Sequence, residues 1–164
     1  MNAEKRKALI YELNAKVNEF VKEKNLFCGG CCFSAFVLAE IFQKFGIKYR
    51  TVLFQEYALA NVRDFDTAIN DDEDCAHVAI EVLVGGKYLI IGDYSKLSKY
   101  FEEFEVKHAL CRYSGITPKM LKTAYYLNEW NPAYDTANNP QFLYEMNEIA
   151  DKYMDDPFVS KKAA

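Results

Sequence analysis

The chain of 164 residues lacks any apolar run approaching the ~20 residues that a helix needs to cross a bilayer. It also lacks a basic excess. Its formal net charge is −4, so the positive footprint expected of a nucleic-acid binder is missing. The first twenty residues are charged throughout and periodic, without the apolar centre and small-residue cleavage site of a secretory signal. No internal repeat or low-complexity linker interrupts the chain. An even cysteine framework is missing too: there are five cysteines, three of them crowded into residues 28–32. That pattern suits free thiols in a reducing compartment better than disulfides. A cytoplasmic protein with no membrane and no nucleic-acid partner is the expectation, and the oligomeric state is left open.

What is present is core material. Half of the chain is apolar (51%) and 15% is aromatic, enough for one packed domain over residues 1–164. Leu9, Leu13, Val17, Phe20 and Val21 form one stripe and predict an amphipathic helix over about 3–24. Two glycines then break the pattern. A second helix is expected from Cys31, with Phe33, Phe36, Val37, Ile41 and Phe45 leaving it apolar nearly all round. Gly46 is its expected C′ residue. Strands are expected at 48–57, at 77–84 with Val78, Ile80, Val82 and Val84 on one face, at 87–93 and at 106–112. A short helix is expected at 96–104. Thr117-Pro118 and Asn139-Pro140 each place a capping residue before a proline and predict helices over about 117–155. The fold class is therefore α+β: a central helix on a small antiparallel sheet, flanked by N- and C-terminal helices, with a core over about 25–113.

Cys31 stands where this plan places chemistry. It follows Gly29-Gly30 and opens the apolar helix, where unpaired N–H groups and the dipole favour a thiolate. A cysteine nucleophile also needs a base and a group to orient that base. His77 is one of only two histidines and begins an apolar strand; Asp93 closes the next strand. A hairpin at Gly85-Gly86 brings them together. They share a face only if the connection has an odd length or carries a bulge, because a strict two-residue turn sets 84 against 87 and 77 against 94. His108, on a doubtful strand without an aspartate partner, is the rival base.

These residues fall into a pattern that resembles the transglutaminase-like superfamily. That family shows G-x-C-x-x-x-A at the start of the central helix, then G-I-P-A-R, a histidine strand like H-x-W-x-E-V and an aspartate strand like G-x-W with D-P-T. Here the order is Gly29-Gly30-Cys31-Cys32-Phe33-Ser34-Ala35, then Gly46-Ile47-Lys48-Tyr49-Arg50, His77-Val78-Ala79-Ile80-Glu81-Val82, Gly86-Lys87-Tyr88 and Asp93-Tyr94-Ser95. Cys28 to Cys32 also looks like the C-G-[SA]-C-[WY] signature of papain-like peptidases. Cys32 departs from the usual aromatic residue, Ala79 from the tryptophan and Lys48 from the proline. The resemblance covers about residues 25–95. It implies acyl chemistry at amides without a cofactor: peptide hydrolysis, deamidation or transfer to an amine. Cys31 would be nucleophile, His77 base and Asp93 the orienting acid, acting on a peptide or protein. Asn25, six residues before Cys31, is at a similar offset to the papain-like oxyanion glutamine; a helix C-cap is its other reading.

Bland and rival readings stand beside these. Each of the three residues alone suits a structural role: a buried core thiol, a strand-end histidine, a helix cap. Cys28, Cys31, Cys75 and His77 supply four ligands of the kind zinc takes, so a non-catalytic binding module with a zinc site is the alternative function. A Cys28–Cys31 redox pair lacks the preceding strand of a thioredoxin-like unit. Asp64, Asp66, Asp71, Asp72, Glu73 and Asp74 lack the glycine and closing glutamate of a calcium loop. They read as a solvated loop or as a lid for cationic substrates. Tyr125, Tyr126, Trp130 and Tyr134 read as helix-packing surface or a partner groove.

Overall fold

The structure, a computed structural model, describes residues 1–24, 30–56, 65, 75–92, 108–127 and 140–154. In chain order these form α1 (Ala3–Glu23), α2 (Gly30–Lys44), β1 (Tyr49–Glu56), β2 (Cys75–Val84), β3 (Lys87–Ile91), β4 (His108–Tyr113), α3 (Pro118–Leu127) and α4 (Pro140–Met154). The fold is α+β, with the four strands in one antiparallel sheet of order β3-β2-β1-β4. No helix among the described residues is long and apolar enough to cross a membrane. The helix expected at 96–104 and the acidic segment before β2 lie outside the described residues. So do Trp130 and Tyr134 and the side chains of Tyr125 and Tyr126.

Local chemistry sets the helix ends. The Asn2 side chain accepts from the Lys5 N–H at 2.8 Å and starts α1. Thr117 Oγ1 accepts from the Met120 N–H at 3.2 Å, with Pro118 in the first helical position of α3. At the end of α2, Gly46 has φ +65° and the Ile47 N–H returns to the Phe42 carbonyl at 2.8 Å. That six-to-one bond is a Schellman stop, with Ile47 and Phe42 both buried in the core.

α2 lies at the centre because its composition leaves it no solvent face. Ten of its fifteen residues are buried, from Gly30 to Phe42. It packs on β2 and β1 and is flanked by α1, α3 and α4. The ring of Phe33 lies near Phe20 of α1 and Phe142 of α4, and the latter two stack at 3.9 Å between centroids. Polar bridges tie α1 to α4 at the rim: the Tyr153 hydroxyl donates to Glu12 at 2.5 Å, and Lys16 pairs with Glu145 at 3.1 Å.

Alternation sorts the sheet into two faces. Leu53, Val78, Ile80, Val82 and Ile91 join the helices in the main core. Val52, Phe54 and Ala79 form a second buried cluster on the opposite face, with Ile90 and Leu110 packed against it. On that face Glu81, only 3% exposed, lies directly across from Arg50. Arg50 Nε donates to Glu81 at 2.9 Å, and Arg112 Nε of β4 donates at 3.1 Å. The Arg50 guanidinium also stacks on Tyr88 of β3, 3.7 Å from the ring centroid. One carboxylate thus gathers side chains from all four strands.

The hairpin has the two-residue connection. Val84 pairs with Lys87, and Gly85 and Gly86 both have positive φ, +56° and +80°. That is the backbone of a type I′ turn. The odd-length turn that would set residue 77 against 93 is therefore absent. A bulge does occur, but at the other end of β2. Phe54 faces His77, whereas Gln55 faces Cys75, so Ala76 is the extra residue.

Gly46 supplies a clean test of the α2 stop. No atom lies within 4 Å of a Cβ built there, so Gly46→Ala introduces backbone strain without a clash. The expected loss is ~1–2 kcal/mol, with an unchanged denaturant slope in urea unfolding. A neutral substitution would mean that the αL geometry of Gly46 is not required.

Candidate active site

Cys31 is the second residue of α2, so its N–H is among the four that an α-helix leaves unpaired. Gly30 before it is buried, and its carbonyl accepts from Ser34 Oγ at 2.8 Å within the first turn. The packing of α2 on β2 carries this helix end to the beginning of the strand, where the bulge at Ala76 precedes His77. The described β2–β3 ladder ends at Ile80 and Ile91, two residues short of Val78. There the Cys31 sulfur accepts hydrogen bonds from the His77 ring, the Val78 backbone N–H and the Cys32 thiol.

These contacts hold the Cys31 thiol well below the usual thiol range. The hydrogen bond from Cys32 is the largest cause; burial opposes it; the hydrogen bond and positive charge of His77 and the Val78 N–H then add to the lowering. Cys111 on β4 supplies the contrast. Burial pushes its thiol up. Cys31, Cys32 and Cys111 are in no disulfide and are partly exposed.

His77 is buried, at 5% exposure. Phe54, its neighbour across the β1–β2 pair, sets its ring 5.5 Å away at a 57° tilt. Next to the hairpin's far end, Gly92 has φ +113° and donates its N–H to Asn14 Oδ1 of α1 at 2.9 Å. A Cβ at Gly92 would lie 3.9 Å from Ala79 Cβ. Helix α1 is thus fastened to the residue that immediately precedes Asp93.

Of the residues singled out from sequence, Cys31 and His77 come together. Asp93, Asn25 and Cys28 lie outside the described residues, as do the side chains of Cys75 and His108. The register through Ile91 is that of the two-residue turn; continued without interruption, it would set 93 against Val78 and not on the face of His77. The positive φ of Gly92 interrupts the extended backbone before Asp93 is reached. Among the described residues no group of three His, Cys, Asp or Glu side chains is arranged to hold a metal ion.

Cys32, Val78 and Phe54 were not singled out from the sequence. A backbone donor leaves no signature in composition. Adjacent residues of a helix do not ordinarily face each other, so residue spacing gives Cys32 no role beside Cys31. Phe54 was legible only as strand core. Comparisons with family models, with curated proteins and with solved structures found no match for this chain.

The thiol electrostatics predict a selective reaction. Iodoacetamide should alkylate Cys31 before Cys32 and Cys111 near neutral pH. As pH falls below the ordinary thiol pKa of about 8.5, Cys31 should stay reactive while Cys111, shifted upward, loses its rate first. Peptide mass spectrometry at stepped pH reads this directly; equal labelling of the three thiols would remove the case for an activated Cys31.

Proposed function

We propose that this protein is a cysteine-nucleophile enzyme acting on amide bonds, with a transglutaminase-like or papain-like core. The observation that carries the reading is the meeting of the Cys31 sulfur, at the N-terminus of a buried helix, with the His77 ring at the start of β2. The ordered resemblance of residues 25–95 to the superfamily pattern supports it. The fitting substrate class is a peptide or protein amide, and the fitting compartment is the reducing cytoplasm.

In this mechanism the Cys31 thiolate attacks the amide carbonyl. Protonated His77 gives its proton to the leaving amine, which departs as the acyl group becomes a thioester on Cys31. Neutral His77 then takes a proton from water or an acceptor amine, and attack on the thioester frees Cys31. Water gives hydrolysis or deamidation; an amine gives transfer. The unpaired N–H groups of the first turn of α2 suit the developing oxyanion, with Asn25 as a proposed further donor. Asp93 is assigned to hold the imidazole in the productive tautomer. Phe54 restricts the ring from the neighbouring strand.

Labelling with an electrophilic amide-mimicking probe, followed by mass spectrometry, tests the reading. Adduct is expected on Cys31 and none in Cys31→Ala; a Cys31→Ala protein with full biological activity would sink it. With a substrate in hand, Cys31→Ala should abolish turnover and His77→Ala should come close. Asp93→Asn should cost on the order of 10-fold or more. Asn25→Ala should cost ~10²-fold without loss of Cys31 labelling if it donates to the oxyanion.

A further inference from the structure

The face of the sheet opposite the helices carries one more cation than its buried carboxylate needs. Glu81 is 3% exposed, and one arginine holding it through two nitrogens would compensate its charge. Arg50, directly opposite on β1, already does so: its Nε and Nη2 donate to Glu81 Oε2 at 2.9 and 2.5 Å. Arg112 on β4 adds a second guanidinium. It donates through Nε alone, shared between the two Glu81 oxygens at 3.1 and 3.3 Å.

The two guanidiniums have different donors left over. Tyr88 of β3 lies against the face of Arg50, 3.7 Å from ring centroid to guanidinium, and Glu81 takes two of the Arg50 nitrogens. Only Nη1 of Arg50 remains. Arg112 keeps both Nη1 and Nη2, which have no partner among the described residues. That end pair is the fork that takes both oxygens of a planar carboxylate. The side chains of Arg50 and Arg112 are 28% and 41% exposed, so a solute reaches them. Two arginines on one carboxylate also leave one positive charge over. Among the described residues no other acidic side chain pairs with either arginine.

We propose that Arg112, with Arg50 beside it, binds a carboxylate-bearing ligand on this face of the sheet. Both guanidiniums meet at one oxygen, Glu81 Oε2, which keeps them close enough to share a ligand. Glu81 and Tyr88 hold them in place before the ligand arrives, so little further side-chain ordering opposes binding. One carboxylate brings the local charge to zero. A phosphate dianion would leave an excess negative charge close to buried Glu81, where repulsion is only partly screened. The site uses none of the residues assigned to acyl chemistry and stands or falls apart from that reading.

The test uses the full chain, labelled with nitrogen-15, at neutral pH. Sodium acetate is titrated against sodium chloride at equal ionic strength, and the Nε–Hε signals of Arg50 and Arg112 are followed by NMR. Acetate should shift both signals to saturation in the millimolar range, and chloride should not. Arg112→Gln should abolish the saturable shift at Arg50. Arg112→Lys keeps the charge without the fork and should weaken acetate on the order of 10-fold or more. The backbone amide spectrum of each variant shows whether the sheet is retained. N-acetylglycine and its amide identify the source of the carboxylate: tighter binding of the acid than of acetate points to a peptide C-terminus, equal binding to a small free acid, and the amide should not bind. Shifts that never saturate, that chloride reproduces or that survive in Arg112→Gln would overturn the site. Tighter binding of inorganic phosphate than of acetate would overturn the assignment to a carboxylate.

Discussion

The arrangement depends on burying α2. A helix apolar on nearly every side has to be enclosed, and here β2 and β1 take one side while α1, α3 and α4 close around the rest. Fully burying a side chain such as Phe33, Phe36, Leu38 or Phe42 stabilises by ~1.5–3 kcal/mol relative to exposure. Those increments set the position of the helix, and the position sets the site. The rings of Phe20, Phe33 and Phe142 join three helices two residues beyond Cys31. A shift of the α2 N-terminus would have to break that contact, so the packing that stabilises the domain also aims the thiol at β2.

Two opposed effects meet at Cys31, and comparison with Cys111 shows which one wins. Desolvation disfavours a thiolate at both positions. At Cys111 it prevails and the thiol is pushed up. At Cys31 it is outweighed by a thiol donor, an imidazole and a backbone N–H converging on one sulfur. Hydrogen bonds to an ionised acceptor are worth about 1.5–3 kcal/mol each, so several suffice to offset partial burial. The lowering thus comes first from the Cys32 donor, then from His77, with the Val78 N–H the smallest of the favourable contributions.

Much of the architecture was legible because it rests on periodicity. The stripe from Leu9 to Phe20 marked α1, the alternation from Val78 to Val84 marked the core face of β2, and Gly46 marked the end of α2. The pairing of Cys31 with His77 was legible for a similar reason: a helix start and a strand start are sequence features. The hairpin at Gly85-Gly86 was legible, but its length stayed open, because an aligned triad required an odd-length connection or a bulge. Two consecutive glycines satisfy a type I′ turn without it, and the local backbone preference won. The bulge at Ala76 left no trace, because an alanine between Cys75 and His77 fits a regular strand equally well. The thiol contact of Cys32 depends on rotamers in one helical turn, and residue spacing does not report those.

Two charged residues of the sheet, Arg50 and Glu81, have a physical role of their own in the strand pairing. Arg50 of the G-I-x-x-R stretch and Glu81 of the histidine strand are directly opposed in the β1–β2 ladder and joined by short hydrogen bonds. Glu81 is almost fully buried, so an unpaired carboxylate there would carry a heavy desolvation cost. Arg50 and Arg112 remove that cost from two neighbouring strands while keeping part of each guanidinium in water. A one-residue slip of β2 would turn Glu81 toward the helices beside Leu53, turn Ile80 and Val82 away from them, and leave both arginines without their carboxylate. The ion pair therefore enforces register more than it adds stability, in keeping with the small net worth of buried pairs. Register is what His77 needs, since the same ladder that opposes Arg50 to Glu81 opposes Phe54 to His77 four residues away. The buried carboxylate at one end of β2 and the thiol contact at the other are two ends of a single constraint on where that strand sits.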